Sequence, residues 1–216
     1  MKSARFRERL LERGGHANVL LSERTINHLE VYYLLLNHWN KRINLSALPL
    51  EAMDDEAIDR VLIKPLVAAD AVSERPLRWW DLGSGGGSPA LPIRIVRPDA
   101  QLTMVEARSR KVAFLREAVR ELSLSSVDVV AGRFEDVIGR AEQCGTSELV
   151  TVRAVRIDTM LLELSRGLLK KGGDLLLFAT RDALIPATSM FTLERVVDLI
   201  PGGRSELKVL KAGHAA

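Results

Sequence analysis

Apolar positions recur at helical spacing early in the chain and in short runs later. From Ser22 onward, Ile26, Leu29, Tyr33 and Leu36 form one helical stripe, and Tyr32, Trp39 and Ile43 widen it. Ser22 suits the N-cap, with Glu23 in the first turn at the positive end of the helix. The pattern stops around Asn44 to Pro49, and a second short helix is expected from about Asp54 to Ile63. Pro65 then disfavours helical backbone at Lys64. No strand signature occurs here, so residues 1–70 are expected to form a helical extension.

From Leu77 the pattern alternates. Strands are expected at Leu77–Leu82, Leu102–Glu106, Val127–Val130, Leu149–Arg153 and Leu175–Phe178, with late strands at Leu193–Leu199 and Leu207–Leu210 on either side of Pro201, Gly202 and Gly203. Helices are expected at Pro89–Val96, Ser109–Leu122, Glu135–Ala141 and Asp158–Leu169. The last of these runs into Lys170, Lys171, Gly172 and Gly173, a cationic C-terminus with a glycine stop. Short apolar strands between helices imply βαβ units and a parallel sheet covered on both faces, so residues 71–216 read as a doubly wound α/β domain.

Composition narrows the class. At 216 residues, 47% hydrophobic and 27% charged, the chain can bury a full core, which excludes collagen-like and mainly disordered readings. Cys144 is the one cysteine, so no internal disulfide framework forms. No apolar run approaches the roughly 20 residues that span a bilayer, and Met1 to Gly15 lacks a signal-peptide core. A cytoplasmic protein with no membrane partner and no metal site is therefore expected. The net charge of +3 says little, but two segments are cation-rich: Met1–Arg13, and Arg108–Arg120 with Arg110, Lys111 and Arg116. A nucleic-acid partner predicts that Arg5, Arg7, Arg9, Lys41 and Arg60 form one basic face.

The candidate chemistry gathers where the first strand ends. Asp81-Leu82-Gly83-Ser84-Gly85-Gly86-Gly87 places an acid before glycines at alternate positions, between a strand and a helix. Glycines there admit positive φ and close approach of a ligand to the backbone. Glu106 ends the second strand, 25 positions after Asp81, where a carboxylate can accept both hydroxyls of a cofactor ribose. Arg133-Phe134-Glu135-Asp136 follows the third strand and could flank an adenine. Gly85, Gly87 and Ala90 also meet dinucleotide spacing loosely. Asp81, read as facing the loop, would repel a pyrophosphate but suits the cationic S-adenosylmethionine.

These motifs resemble a class I methyltransferase. More narrowly, Trp39-Asn40-Lys41-Arg42-Ile43-Asn44-Leu45-Ser46-Ala47, Asp81 to Ile93, Arg110 to Glu117 and Val150-Thr151-Val152-Arg153-Ala154 resemble the small-subunit ribosomal RNA methyltransferase G family, also called the glucose-inhibited division protein B family. The resemblance implies a Rossmann-like, mostly parallel seven-stranded sheet and S-adenosylmethionine as cofactor. It implies methyl transfer to nitrogen-7 of a guanine in the decoding region of small-subunit rRNA, by a monomer acting on the small ribosomal subunit. It places the cofactor against Asp81, Gly83, Gly85, Gly87, Ser88, Glu106, Phe134, Glu135 and Arg153, and the substrate against Asn44, Arg60 and Arg153. No catalytic nucleophile or base is implied, only positioning.

The absences agree. The slot after the fourth strand reads Arg153-Ala154-Val155-Arg156, without the Asn/Asp-Pro-Pro-aromatic motif common in enzymes that methylate exocyclic amines. Cys144 follows Gln143 outside the core motifs, and His16, His28, His38 and His214 lie away from them. Two segments depart from the family. Arg60-Val61-Leu62-Ile63-Lys64-Pro65-Leu66 stands where it typically reads Arg-His-Ile-Leu-Asp-Ser-Leu, and Ser88-Pro89-Ala90 where it has a bulky apolar residue, Pro and Gly. Another RNA, a small molecule, or cofactor binding without turnover stay open as alternatives.

Overall fold

The structure is a computed structural model describing residues 2–75, 77–138 and 144–213. Two long helices come first, α1 (Lys2–His16) and α2 (Glu23–Asn40). Ser22 caps α2 by accepting from the Thr25 amide at 3.2 Å. The expected stripe is buried, and Tyr33 meets Phe6 of α1 at a ring separation of 5.2 Å.

A broken helix follows: α3 (Asp55–Ile58), a π-turn over Asp59–Ile63, then α4 (Lys64–Ala68). The expected stop at Lys64 does not occur, for its backbone is helical at φ −57, ψ −45. Pro65 lacks the amide that would bond the Val61 carbonyl four residues back. The Ser88 hydroxyl donates to that carbonyl instead, at 2.7 Å. Pro65 and Ser88 thus answer one another in space.

The sheet is β1 (Arg78–Leu82), β2 (Gln101–Glu106), β3 (Val127–Ala131), β4 (Ser147–Arg153), β5 (Leu169–Thr180), β6 (Phe191–Asp198) and β7 (Ser205–Ala212). Its order is β3-β2-β1-β4-β5-β7-β6; β3 through β5 are parallel, and β7 pairs antiparallel with both β5 and β6. The chain reverses direction across the sheet between β1 and β4, the place where doubly wound folds bind ligands. Helices α5 (Ala90–Val96) and α6 (Ser109–Glu121) pack with α1 to α4 on one face, while α7 (Phe134–Ile138) and α8 (Thr159–Leu168) cover the other. Pro92 is tolerated because it falls in the first turn of α5. The first core runs from Phe6 and Tyr33 to Trp79 and Val209, so the helical extension and the sheet share it.

The glycine stop proposed for α8 is something else. Leu169 already pairs with Ser147, and residues 170–173 loop out before Asp174 pairs with Leu149. Gly172, at φ +73, serves this strand bulge rather than a helix end. Residues 139–143, the end of the expected helix Glu135–Ala141, lie outside the described residues, as does His214. Among the described residues no helix is long and apolar enough to cross a membrane.

Candidate cofactor and substrate site

The loop after β1 is built by its glycines. Gly83 has φ +76, and an added Cβ would meet Val155 at 2.8 Å; Gly85, at φ +55, would meet nothing closer than 3.7 Å and opens onto a cavity. The loop is held from outside as well as within. The buried Tyr32 hydroxyl donates to the Gly86 carbonyl at 2.6 Å, and burial raises its pKa, keeping it a donor. Glu106 Oε2 accepts from the Gly85 amide at 2.9 Å, and its Oε1 accepts from the Arg108 amide at 2.8 Å.

The cavity over this loop holds about 380 Å³ and is lined by Gly83, Ser84, Gly85, Gly86, Ser88 and Glu106 on one side. Leu45 to Leu48 line the other. Asn40 explains that wall, since its Oδ1 accepts from the amides of Leu45 and Ser46 at 2.9 and 2.8 Å and folds the segment back after α2. A second cavity of about 240 Å³ shares Gly83 and Glu106 and adds Phe134 and Glu135. A third, of about 450 Å³, shares Arg60, Arg153 and Ala154 with the first. Arg153 thus stands at the end of β4 between two chambers, its Nη1 donating to the Arg60 carbonyl at 2.7 Å. Burial lowers its pKa to about 10, which leaves it charged at neutral pH. Ala154, the next residue, is held at φ +57, a strained conformation for a residue with a side chain.

Three expected site residues, Asp81, Gly87 and Asn44, line neither the glycine-loop cavity nor the Phe134 cavity. Strand side chains alternate, so Asp81 points with Trp79 toward the face under α2, where its carboxylate also meets the Ser84 side chain of the loop and lies near Arg153 and Glu106. It is 2% exposed, lines none of these cavities, and its Oδ1 accepts from the Thr151 hydroxyl at 2.5 Å. Trp79 Nε1 donates to the same hydroxyl at 2.8 Å, and burial raises the Asp81 pKa. Gly87 also lies behind the loop, against Leu91 and Leu115. Asn44 opens onto a neighbouring groove of about 590 Å³ with Arg42 and Arg110, which shares Arg108 and Lys111 with the glycine-loop cavity.

The expected basic face does not form. Arg5 donates to the Ala52 carbonyl, Arg7 pairs with Glu23 and Glu30, and Arg9 with Asp55 and Glu12. Arg13 pairs with Asp59 at 2.6 Å, and Lys41 with Glu51 at 3.1 Å. These cations clamp α1 and the segment after α2 to the rest of the chain. Among the described residues no ion pair is formed by Arg42, Arg108, Arg110 or Lys111, so the available charge lies beside the glycine loop instead. Sequence reasoning passed over Tyr32 and Lys111 as site residues; Tyr32 was visible only as part of an apolar stripe.

The sheet order, the glycine loop and the carboxylate ending β2 define the class I methyltransferase architecture. An MtNAS mutant solved in complex with S-adenosylmethionine superposes with a TM-score of 0.60 over 87% of this chain and 72% of that chain, at 14% identity. The precorrin-6y C5,15-methyltransferase of Geobacter metallireducens superposes at 0.52 over 69% and 87%, at 17% identity. At such identities these likenesses speak for the fold alone. The chain belongs to the rRNA small subunit methyltransferase G (GidB) family, whose model matches residues 25–189. The ribosomal RNA small subunit methyltransferase G of Lactococcus lactis subsp. lactis is 32% identical over 165 residues, covering 74% of this chain and 66% of its own length. This chain thus spans about two thirds of that relative.

The residues fit the cofactor of that class. An ionised carboxylate offers about four lone-pair sites. Glu106 uses two of them on backbone amides, which leaves acceptors for two ribose hydroxyls between the Phe134 and glycine-loop cavities.

Proposed function

We propose that the chain binds S-adenosylmethionine across the two cavities joined at Glu106 and transfers a methyl group to nitrogen-7 of a guanine in the decoding region of small-subunit rRNA. Phe134 and Glu135 would flank the adenine, Glu106 the ribose, and Gly83, Gly85 and Ser88 the methionine end. When bound, the cofactor supplies an electrophilic methyl group. The observation that carries the reading is the placement of Arg153 between the glycine-loop chamber and a second chamber large enough for a base.

Guanine N7 has a free lone pair and needs no deprotonation. The protein's task is therefore to orient: Arg153 donates to guanine O6 or to a phosphate and leaves the ring nitrogen directed at the glycine-loop chamber. Holding two reactants in line can supply about 7–11 kcal/mol of barrier reduction. His16, His28 and His38 line none of these cavities, and neither does Cys144. The groove of Asn44, Arg42, Arg110 and Lys111 offers an RNA backbone cations that, among the described residues, no carboxylate holds.

The direct test is transfer of labelled methyl to small ribosomal subunits lacking the modification, with naked rRNA and bulk tRNA alongside and the label mapped by cleavage at 7-methylguanosine. Label at a decoding-region guanine supports the reading; label confined to tRNA, or none despite bound cofactor, overturns it. Glu106→Ala should weaken S-adenosylmethionine binding by about 10- to 100-fold in calorimetry, since a charged hydrogen bond contributes about 1.5–3 kcal/mol. Unchanged affinity would remove Glu106 from the ribose role. The pH profile should also be simple. Arg153 loses its proton only near pH 10. With no base to titrate, kcat/KM should stay level from about pH 6 to about pH 9 and fall beyond. An inflection near neutrality would place an essential base elsewhere.

A further inference from the structure

The chamber beyond Arg153 carries three cations in its wall: Arg60, Lys64 and Arg153, against one carboxylate, Glu56. Among the described residues none of the three forms an ion pair. Lys64 Nζ has a single neutral partner, the Ser205 hydroxyl at 3.1 Å, although its side chain is half-buried. Other sheltered cations in the chain are treated differently. Arg13 meets Asp59, Lys208 meets Glu206, and Lys211 meets Asp174, while Arg94 and Arg166 each meet two carbonyl oxygens. Taking an ammonium out of water without a counter-charge is costly. Burial accordingly lowers the Lys64 pKa, with Asp59 opposing it only in part.

Beside these cations lie Thr180 and Ser205, and Val155, Ile157, Phe178 and Leu199 form an apolar part of the wall. Cations and apolar side chains in one wall fit a nucleotide: base against the apolar residues, phosphate at the cations. We infer that Lys64 is a phosphate-binding residue of the substrate, holding a phosphate of the nucleotide whose base is presented to Arg153. The inference rests on the proposed function. Ser205 opens β7, so the C-terminal antiparallel strands fix the position of Lys64 and take part in substrate recognition.

The test compares guanosine 5′-monophosphate, guanosine and inorganic phosphate as calorimetric probes of the full chain, its K64Q variant and its K64R variant. The monophosphate should bind the parent about tenfold more tightly than guanosine. K64Q should erase that difference and K64R keep most of it, a rescue that a merely structural role would not give. In transfer assays on small ribosomal subunits, K64Q should raise KM about tenfold with kcat within about twofold, and should lower the slope of log affinity against log salt by about one. Equal binding of the monophosphate and guanosine to the parent, or a preference that survives K64Q, overturns the inference. So does inorganic phosphate alone binding as tightly as the monophosphate, which would mark a free-phosphate site. A parent that methylates no RNA yet shows a Lys64-dependent preference refutes the proposed function and leaves Lys64 in place.

Discussion

Arg153→Ala should reduce methyl transfer to RNA at least about 100-fold while the folded chain survives. Among the described residues its one hydrogen bond is to the Arg60 carbonyl, so truncation removes about 1 kcal/mol of structure. For a chain of this size that shifts Tm by about 2–4 °C. The loss in rate is larger because the guanidinium is charged at neutral pH and placed between the chambers. A charge-assisted bond to the target, about 1.5–3 kcal/mol, adds to the cost of a misplaced reactant, itself up to about 10²-fold. Arg153→Lys should rescue little, since an ammonium cannot present a planar fork. Rates and melting curves for both variants decide the matter. Normal turnover by a folded Arg153→Ala chain would deny Arg153 any role in the substrate site.

The second large effect is on stability. Gly87→Ala should lower Tm by about 5–15 °C. The residue sits at φ +83, where a side chain costs about 1–2 kcal/mol. An added Cβ would lie 2.6 Å from Leu91 Cδ1 and 3.3 Å from Leu115 Cδ2, and both leucines are fully buried. Overpacking of that kind adds about 1–3 kcal/mol. Gly172→Ala is the natural control: its φ is also positive, at +73, but nothing lies within 4 Å of the added carbon. It should show only the strain. If the two variants melt together, the packing behind the glycine loop is not what requires Gly87.

The parallel sheet was readable because β1, β2 and β4 are short apolar runs buried on both faces. The late strands were visible as strands, but their pairing was not: β7 inserts between β5 and β6, and that order depends on contacts across the sheet. Local rules misled where a distant group intervened. A proline rule ended a helix at Lys64, yet the Ser88 hydroxyl takes the carbonyl that Pro65 leaves free. A glycine after lysines looked like a helix stop and is a bulge. Asp81 could have been placed by strand parity with Trp79, a signal present in the sequence. The arginines of α1 could not, because a cationic run looks the same whether it meets water or acids 16 to 46 residues away.

The pairing of Arg13 with Asp59 carries a consequence for how the molecule can be divided. Asp59 is 7% exposed and opens the π-turn, one residue before Arg60 and five before Lys64. Its charge is tolerable there because α1 delivers the opposite one from the far end of the fold. Shortening the chain at its start would strand an anion inside the protein and set it beside the cations that face the third chamber, drawing them inward. A truncated form would then resemble a substrate-site mutant in its kinetics, although no residue near the reaction had been changed.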